Sequence, residues 1–131
     1  MVEELIENDK NVKAWLRIVP RKDWALCIPY EKHNEKHPLY PDIVSFRQTK
    51  SGLVADILDP HGTQLDDAVD KAKGLATYAR KHGADFGRIE LIIVNEKDKL
   101  KRLNLNDESV RERVDMVTSR EHLVLLLNEL S

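Results

Sequence analysis

The sequence is poor in features that mark several large classes of protein. It holds one cysteine, Cys27, so no internal disulfide can form and the cross-linked framework of a small secreted domain is excluded. It has no apolar run long enough to span a bilayer and no basic-then-apolar leader, which predicts a soluble, cytoplasmic chain. Neither sign of charge dominates: 21 Lys and Arg stand against 23 Asp and Glu, a formal net charge of −2, so nothing draws the whole molecule toward nucleic acid. That balance counts less against a metal-dependent nuclease, because its site is itself acidic and the divalent ions it holds invert the local field. There is also no Gly-rich loop ending in Lys-Ser/Thr, so the chain is not expected to hydrolyse ATP by itself. Internal repeats and low-complexity tracts are missing as well.

What is present is the material of one domain. The 131 residues are 41% apolar and 34% charged, the balance of a chain that buries a single core. An acidic first segment, VEELIENDK, places Leu5 and Ile6 on a short helical pattern. Val12 to Ile18 fits a strand by alternation and one turn of helix by its Val12, Trp15, Leu16 spacing, and both readings stay open. Trp24 to Tyr30 reads as a strand ended by Pro29, and EKHNEKHPLYP reads as a polar loop.

Asp42 to Phe46 and Leu53 to Asp59 are short apolar runs around RQTKSG, which predicts an antiparallel hairpin. Leu65 to His82 carries Leu65, Ala68, Val69, Ala72, Leu75, Ala76 and Ala79 on one helical face, with Thr63 as N-cap and Gly83 beyond its end. Arg88 to Val94 is a buried strand by composition, and the strand, helix, strand order implies a parallel crossover and hence a mixed sheet. A basic connector with an edge strand follows, then two short helices from near Asp107 and Ser119 as a terminal cap. Trp15 and Trp24 are expected to pack.

The hairpin carries the chemistry. Tyr40, Pro41 and Asp42 open one strand while Asp59, Pro60 and His61 close the other, so antiparallel pairing makes the two acids neighbours. Alternation puts Ile57, Asp59 and His61 on one side and Asp56 on the other. Two carboxylates at one sheet end, with positions left for water and phosphate, suit Mg²⁺ or Mn²⁺.

At these residues the sequence resembles the PD-(D/E)xK, or restriction-endonuclease-like, nuclease superfamily: a Pro-Asp, a hairpin, then acid-x-Lys before an amphipathic helix. The matching residues are Pro41-Asp42 and Asp59-Pro60-His61. More closely, VKAWLR, IPY, YPDIVSFR, LVADILDPHG and FGRIELI, between Val12 and about Val94, look like the C-terminal nuclease-like domain of helicase subunits related to type III restriction enzymes. The terminal VRERVDMVTSREHLVLLL is similar to such chain ends.

The resemblance implies an α/β fold with an αβββαβ core over about 2–95 and a C-terminal helical cap over about 98–131. It further implies a domain detached from a larger protein with a helicase/ATPase partner domain, acting on DNA with Mg²⁺ or Mn²⁺ as a metal-dependent endonuclease. In this reading Asp42 and Asp59 are metal ligands and His61 lies near the attacking water. The family lysine is replaced by His61, so Lys71, or else Lys73 on the other flank of the helix, is expected to supply the missing cation, with Lys71 preferred. An additional acid is expected from Glu4 or Glu7.

Other readings stand beside these. A histidine such as His61 also bonds locally in loops, and a domain without the family lysine also fits a catalytically silent module that binds DNA or docks to its helicase. His33 and His37 in HNEKH do not follow the HExxH zinc pattern, Pro38 follows at once, and a solvated loop is expected. Lys97, Lys99, Lys101 and Arg102 read as a solvated connector, with contact to DNA phosphates as the functional alternative.

Overall fold

Alternating apolar residues and two tight turns build the centre of the molecule. The computed structural model describes residues 10–18, 26–61, 67–94 and 100–130. The segment left open as helix or strand is the strand β1 (Val12–Arg17), followed by a hairpin of β2 (Ile28–Lys32) and β3 (Glu35–Leu39). Next come β4 (Ile43–Thr49) and β5 (Gly52–His61), the hairpin that the apolar runs predict, its return made at Gly52 with φ 119°. Helix α1 (Ala68–His82) and a 3-10 turn at Gly83–Asp85 lead to β6 (Ile89–Val94), then β7 (Leu100–Asn104), α2 (Glu108–Asp115) and α3 (Arg120–Leu130).

Five strands form one sheet in the order β1-β4-β5-β6-β7. β1, β4 and β5 run antiparallel in sequence, β6 joins β5 in parallel, and β7 pairs antiparallel at the far edge. The sheet is therefore mixed, and the fold is α/β with C-terminal helices. No helix among the described residues is long and apolar enough to cross a membrane.

The parallel step from β5 to β6 needs a crossover, and α1 supplies it. Its sheet-facing stripe is Ala68, Ala72, Leu75, Ala76 and Ala79, all buried, and packs with Ile57, Ile89, Leu91, Ile93 and Leu103. Four of those five helix residues are alanine, so the helix can lie close to the strands. Val114 from α2, Val117, and Leu123, Leu126 and Leu127 from α3 join the same core. The two terminal helices therefore complete the core rather than cover it from outside. α2 starts where the sequence places its cap, with Asp107 accepting from the Ser109 amide at 3.0 Å.

Three expectations are corrected. EKHNEKHPLYP is not a polar loop but most of the β2–β3 hairpin, turned at His33 (φ 53°) and Asn34 (φ 63°), and Ile28, Tyr30 and Leu39 are its buried positions. Pro29 does not end a strand; it lies within β2 opposite Pro38. Counting out from the two-residue turn, that pair occupies a non-hydrogen-bonded position, where a missing amide proton removes no ladder bond. Trp15 is 43% exposed, because β1 is an edge strand with a neighbour on one side only. The acidic N-terminal helix, Trp24 and the Thr63 cap lie outside the described residues.

Candidate functional site

The β4–β5 register places the site. Ile43 stands opposite Leu58, and one further step of the same register sets Asp42 opposite Asp59. Asp42 lies just before β4, where its carbonyl accepts from the Ile18 amide at 2.9 Å and ties the end of β1 to this corner. On β1, Arg17 stands opposite Ile43, and its Nη1 donates to both oxygens of the Asp42 carboxylate at 3.2 and 3.1 Å. Both side chains are partly exposed, so the pair adds little to stability.

Asp59 is different in kind. It is 5% exposed, and a buried carboxylate is costly unless it is hydrogen-bonded. His61, two residues along the same face of β5, donates from Nε2 to Asp59 Oδ2 at 2.8 Å. Asp56 is also buried but belongs elsewhere: Arg47 donates to it from Nε at 2.8 Å and Nη2 at 3.2 Å, and the Arg88 amide donates at 2.7 Å. Its acceptor oxygens are committed to holding β4, β5 and the start of β6 together.

The structure brings Asp42, Asp59 and His61 to one end of the sheet and gives the two acids separate partners. Lys71 is in the first turn of α1, its amide donating to the Asp67 carbonyl at 2.9 Å. The hydrogen bond from Lys32 holds the Asp67 carboxyl below its ordinary range, and the charge of Lys71 adds to that effect. Among the described residues no hydrogen bond or ion pair joins Lys71 to Asp59 or His61. Lys73 lies on the other flank of α1, lining a groove beside the β2–β3 hairpin. Glu4 and Glu7 lie outside the described residues. His37 stacks on Tyr30 with ring centres 5.7 Å apart, and Lys101 and Arg102 are in β7, where Arg102 donates to Glu90 at 2.8 Å.

Sequence reasoning missed Arg17 as the cation on Asp42. Its signal was its place at the end of VKAWLR, but the pairing of β1 with β4 had to be known before that place meant anything. Among the described residues no group of three or more His, Cys, Asp or Glu, Asp42, Asp59 and His61 included, is placed so that it could hold a metal ion. The donor set nonetheless fits a magnesium-type ion, which is ordinarily held by one or two carboxylates and otherwise by water and phosphate oxygens.

A model of the YagJ family matches residues 1–128 of the chain. Over 99 residues, 76% of its length, the chain is 33% identical to Protein YagJ of Escherichia coli (strain K12). The match covers 40% of that protein, so the chain spans well under half the length of this relative. No solved structure matches the chain.

Proposed function

The chain belongs to the YagJ family, and from its own residues we propose that this member is a metal-dependent DNA endonuclease domain of PD-(D/E)xK type, working in the cytoplasm beside a helicase/ATPase domain. The observation that carries this reading is the hairpin register, which, continued one step past Ile43 and Leu58, sets Asp42 at the end of the sheet where β5 carries Asp59, with Arg17 bonded to the first acid and His61 to the second. The order of elements supports it too, since three antiparallel strands, a helix and a fourth strand parallel to the third follow the pattern that the resemblance implies.

Asp42 and Asp59 would hold Mg²⁺ or Mn²⁺, which when bound supplies a more acidic water and neutralises charge on the phosphodiester. The remaining work falls to the chain. With Nε2 hydrogen-bonded to Asp59, neutral His61 presents Nδ1 as its proton acceptor, suited to take a proton from the attacking water. Asp59 holds that tautomer and ring direction through Oδ2. Arg17 brings the permanent positive charge that His61 cannot, in the role the sequence assigned to Lys71.

Cleavage of supercoiled, linear and single-stranded DNA with Mg²⁺ and with Mn²⁺ tests the proposal. Asp42→Ala, Asp59→Ala and His61→Ala are each expected to slow cleavage by at least about a hundredfold. Unchanged cleavage in both aspartate variants sinks the site. A second reading, a nuclease-like module that binds DNA or docks to its helicase without cutting, is favoured by the Arg17 guanidinium on Asp42. A wild-type chain that binds DNA but cleaves none of these substrates would establish that second reading.

A further inference from the structure

The β2–β3 hairpin lies against α1 away from the sheet and leaves an open groove of about 540 Å³ between its turn and the helix. Along the helix wall, Lys73, Thr77 and Lys81 stand at intervals of four residues, roughly 6 Å apart on one ridge. Lys36 and Asn34 face them from the hairpin. Two acids also line the groove, Glu31 and Asp70; after the hydrogen bond that Lys32 donates to Asp67, the charge of Asp70 helps to raise the pKa of Lys32, beside the hairpin turn.

The groove is built rather than incidental. Lys32 is ion-paired and hydrogen-bonded to Asp67 at the start of α1, which fixes one end of the hairpin. At Gly74 a Cβ would lie 2.5 Å from the Tyr30 Cβ, so the strand and helix backbones approach as closely as glycine permits. Walls held this way need little ordering when a ligand enters.

We propose that this groove binds a single strand of nucleic acid by its phosphates. Lys73 and Lys81, two turns apart on one helix ridge, with Lys36 opposite, offer ammonium groups to the phosphates of a strand, while the Thr77 hydroxyl donates to the Lys73 carbonyl at 3.1 Å. The groove is too small for a double helix. His33, exposed at the hairpin tip, offers a flat ring to an unstacked base. The proposal deepens the nuclease reading and rests on its choice of DNA as substrate: the groove holds the strand, while the Asp42 and Asp59 corner acts on it.

The test is fluorescence anisotropy of a labelled short oligothymidylate with the full chain, in EDTA so that no cleavage intervenes, across a salt series. Lys73→Glu with Lys81→Glu is expected to weaken binding by about tenfold or more and to flatten the salt dependence by about 1.4, two contacts at the single-strand slope. Lys36→Glu weakens it less, and Lys50→Glu, in the β4–β5 turn, leaves it unchanged. Absence of binding by the wild type, equal binding by the double variant, an equal loss with Lys50→Glu, or tighter binding of the matching duplex each overturns the proposal. Asp59→Asn separates this idea from the last one. A chain that holds the strand through these lysines yet cleaves nothing loses the nuclease reading and keeps the groove. A chain that cleaves DNA but binds the strand independently of them loses the groove alone.

Discussion

At the scale of residues, the buried acids of the sheet are told apart by what they bond. Asp56 accepts from two nitrogens of Arg47 and from the Arg88 amide, whereas Asp59 has the titratable His61 as its partner. Asp56→Ala leaves a largely buried guanidinium and an amide without their acceptor, so the chain is expected to lose about 3 kcal/mol in urea denaturation. A loss near zero would mean that water replaces the carboxylate. The division between these two acids was legible in the sequence, because strand alternation puts Asp59 with His61 and Asp56 on the opposite face. Arg47 and Arg17 were not legible: each reaches its acid across a strand pairing or a diagonal that no local pattern states.

Among elements, the hairpin on α1 shows how a short polar segment holds its place. Gly74→Ala should gain about 1 kcal/mol of helix propensity and lose more than that by pushing the Tyr30 backbone away. The expected net result is a destabilised protein whose β2–β3 amides exchange faster, relative to those of β5, than in the wild type. The Lys32–Asp67 contact adds a pH dependence. The Lys32 hydrogen bond lowers the Asp67 carboxyl, so its stabilisation is complete above the ordinary carboxylate range and is lost as pH falls through the lowered value. The same bond raises Lys32, so on the alkaline side the stabilisation is present up to the ordinary lysine range and is lost as pH rises through the raised value. Stability measured for the wild type and Asp67→Asn should differ most near neutrality and converge in acid; a constant gap would rule the contact out. The hairpin itself went unread because His33 and Asn34 carry no glycine to announce a left-handed turn, and because two prolines argue against strands until the register shows them at a pair that needs no amide proton.

For the molecule as a whole, helices read as a terminal cap prove to be part of the core. Leu127 in α3 and Ile57 in β5 lie in one buried cluster, and α3 packs against both β7 and α1. Leu127→Ala is therefore expected to cost about 2–4 kcal/mol and to shift a single unfolding transition seen alike by far-UV circular dichroism and tryptophan fluorescence. Separate transitions would show that the C-terminal helices form an independent layer. The sequence by itself determined the hairpin of β4 and β5, the long helix, the parallel return to β6, and hence the mixed sheet, since each follows from periodicity and from the reach of its connection. It also set Asp42 and Asp59 at the same end of that hairpin, because one precedes β4 and the other lies near the end of β5. Only the tertiary structure decided that Arg17 stands at Asp42, that Lys73 lines a groove, and that a second hairpin walls that groove on α1. Those are contacts between segments distant along the chain, and helical or strand periodicity records only which side of an element is buried, not what lies against it.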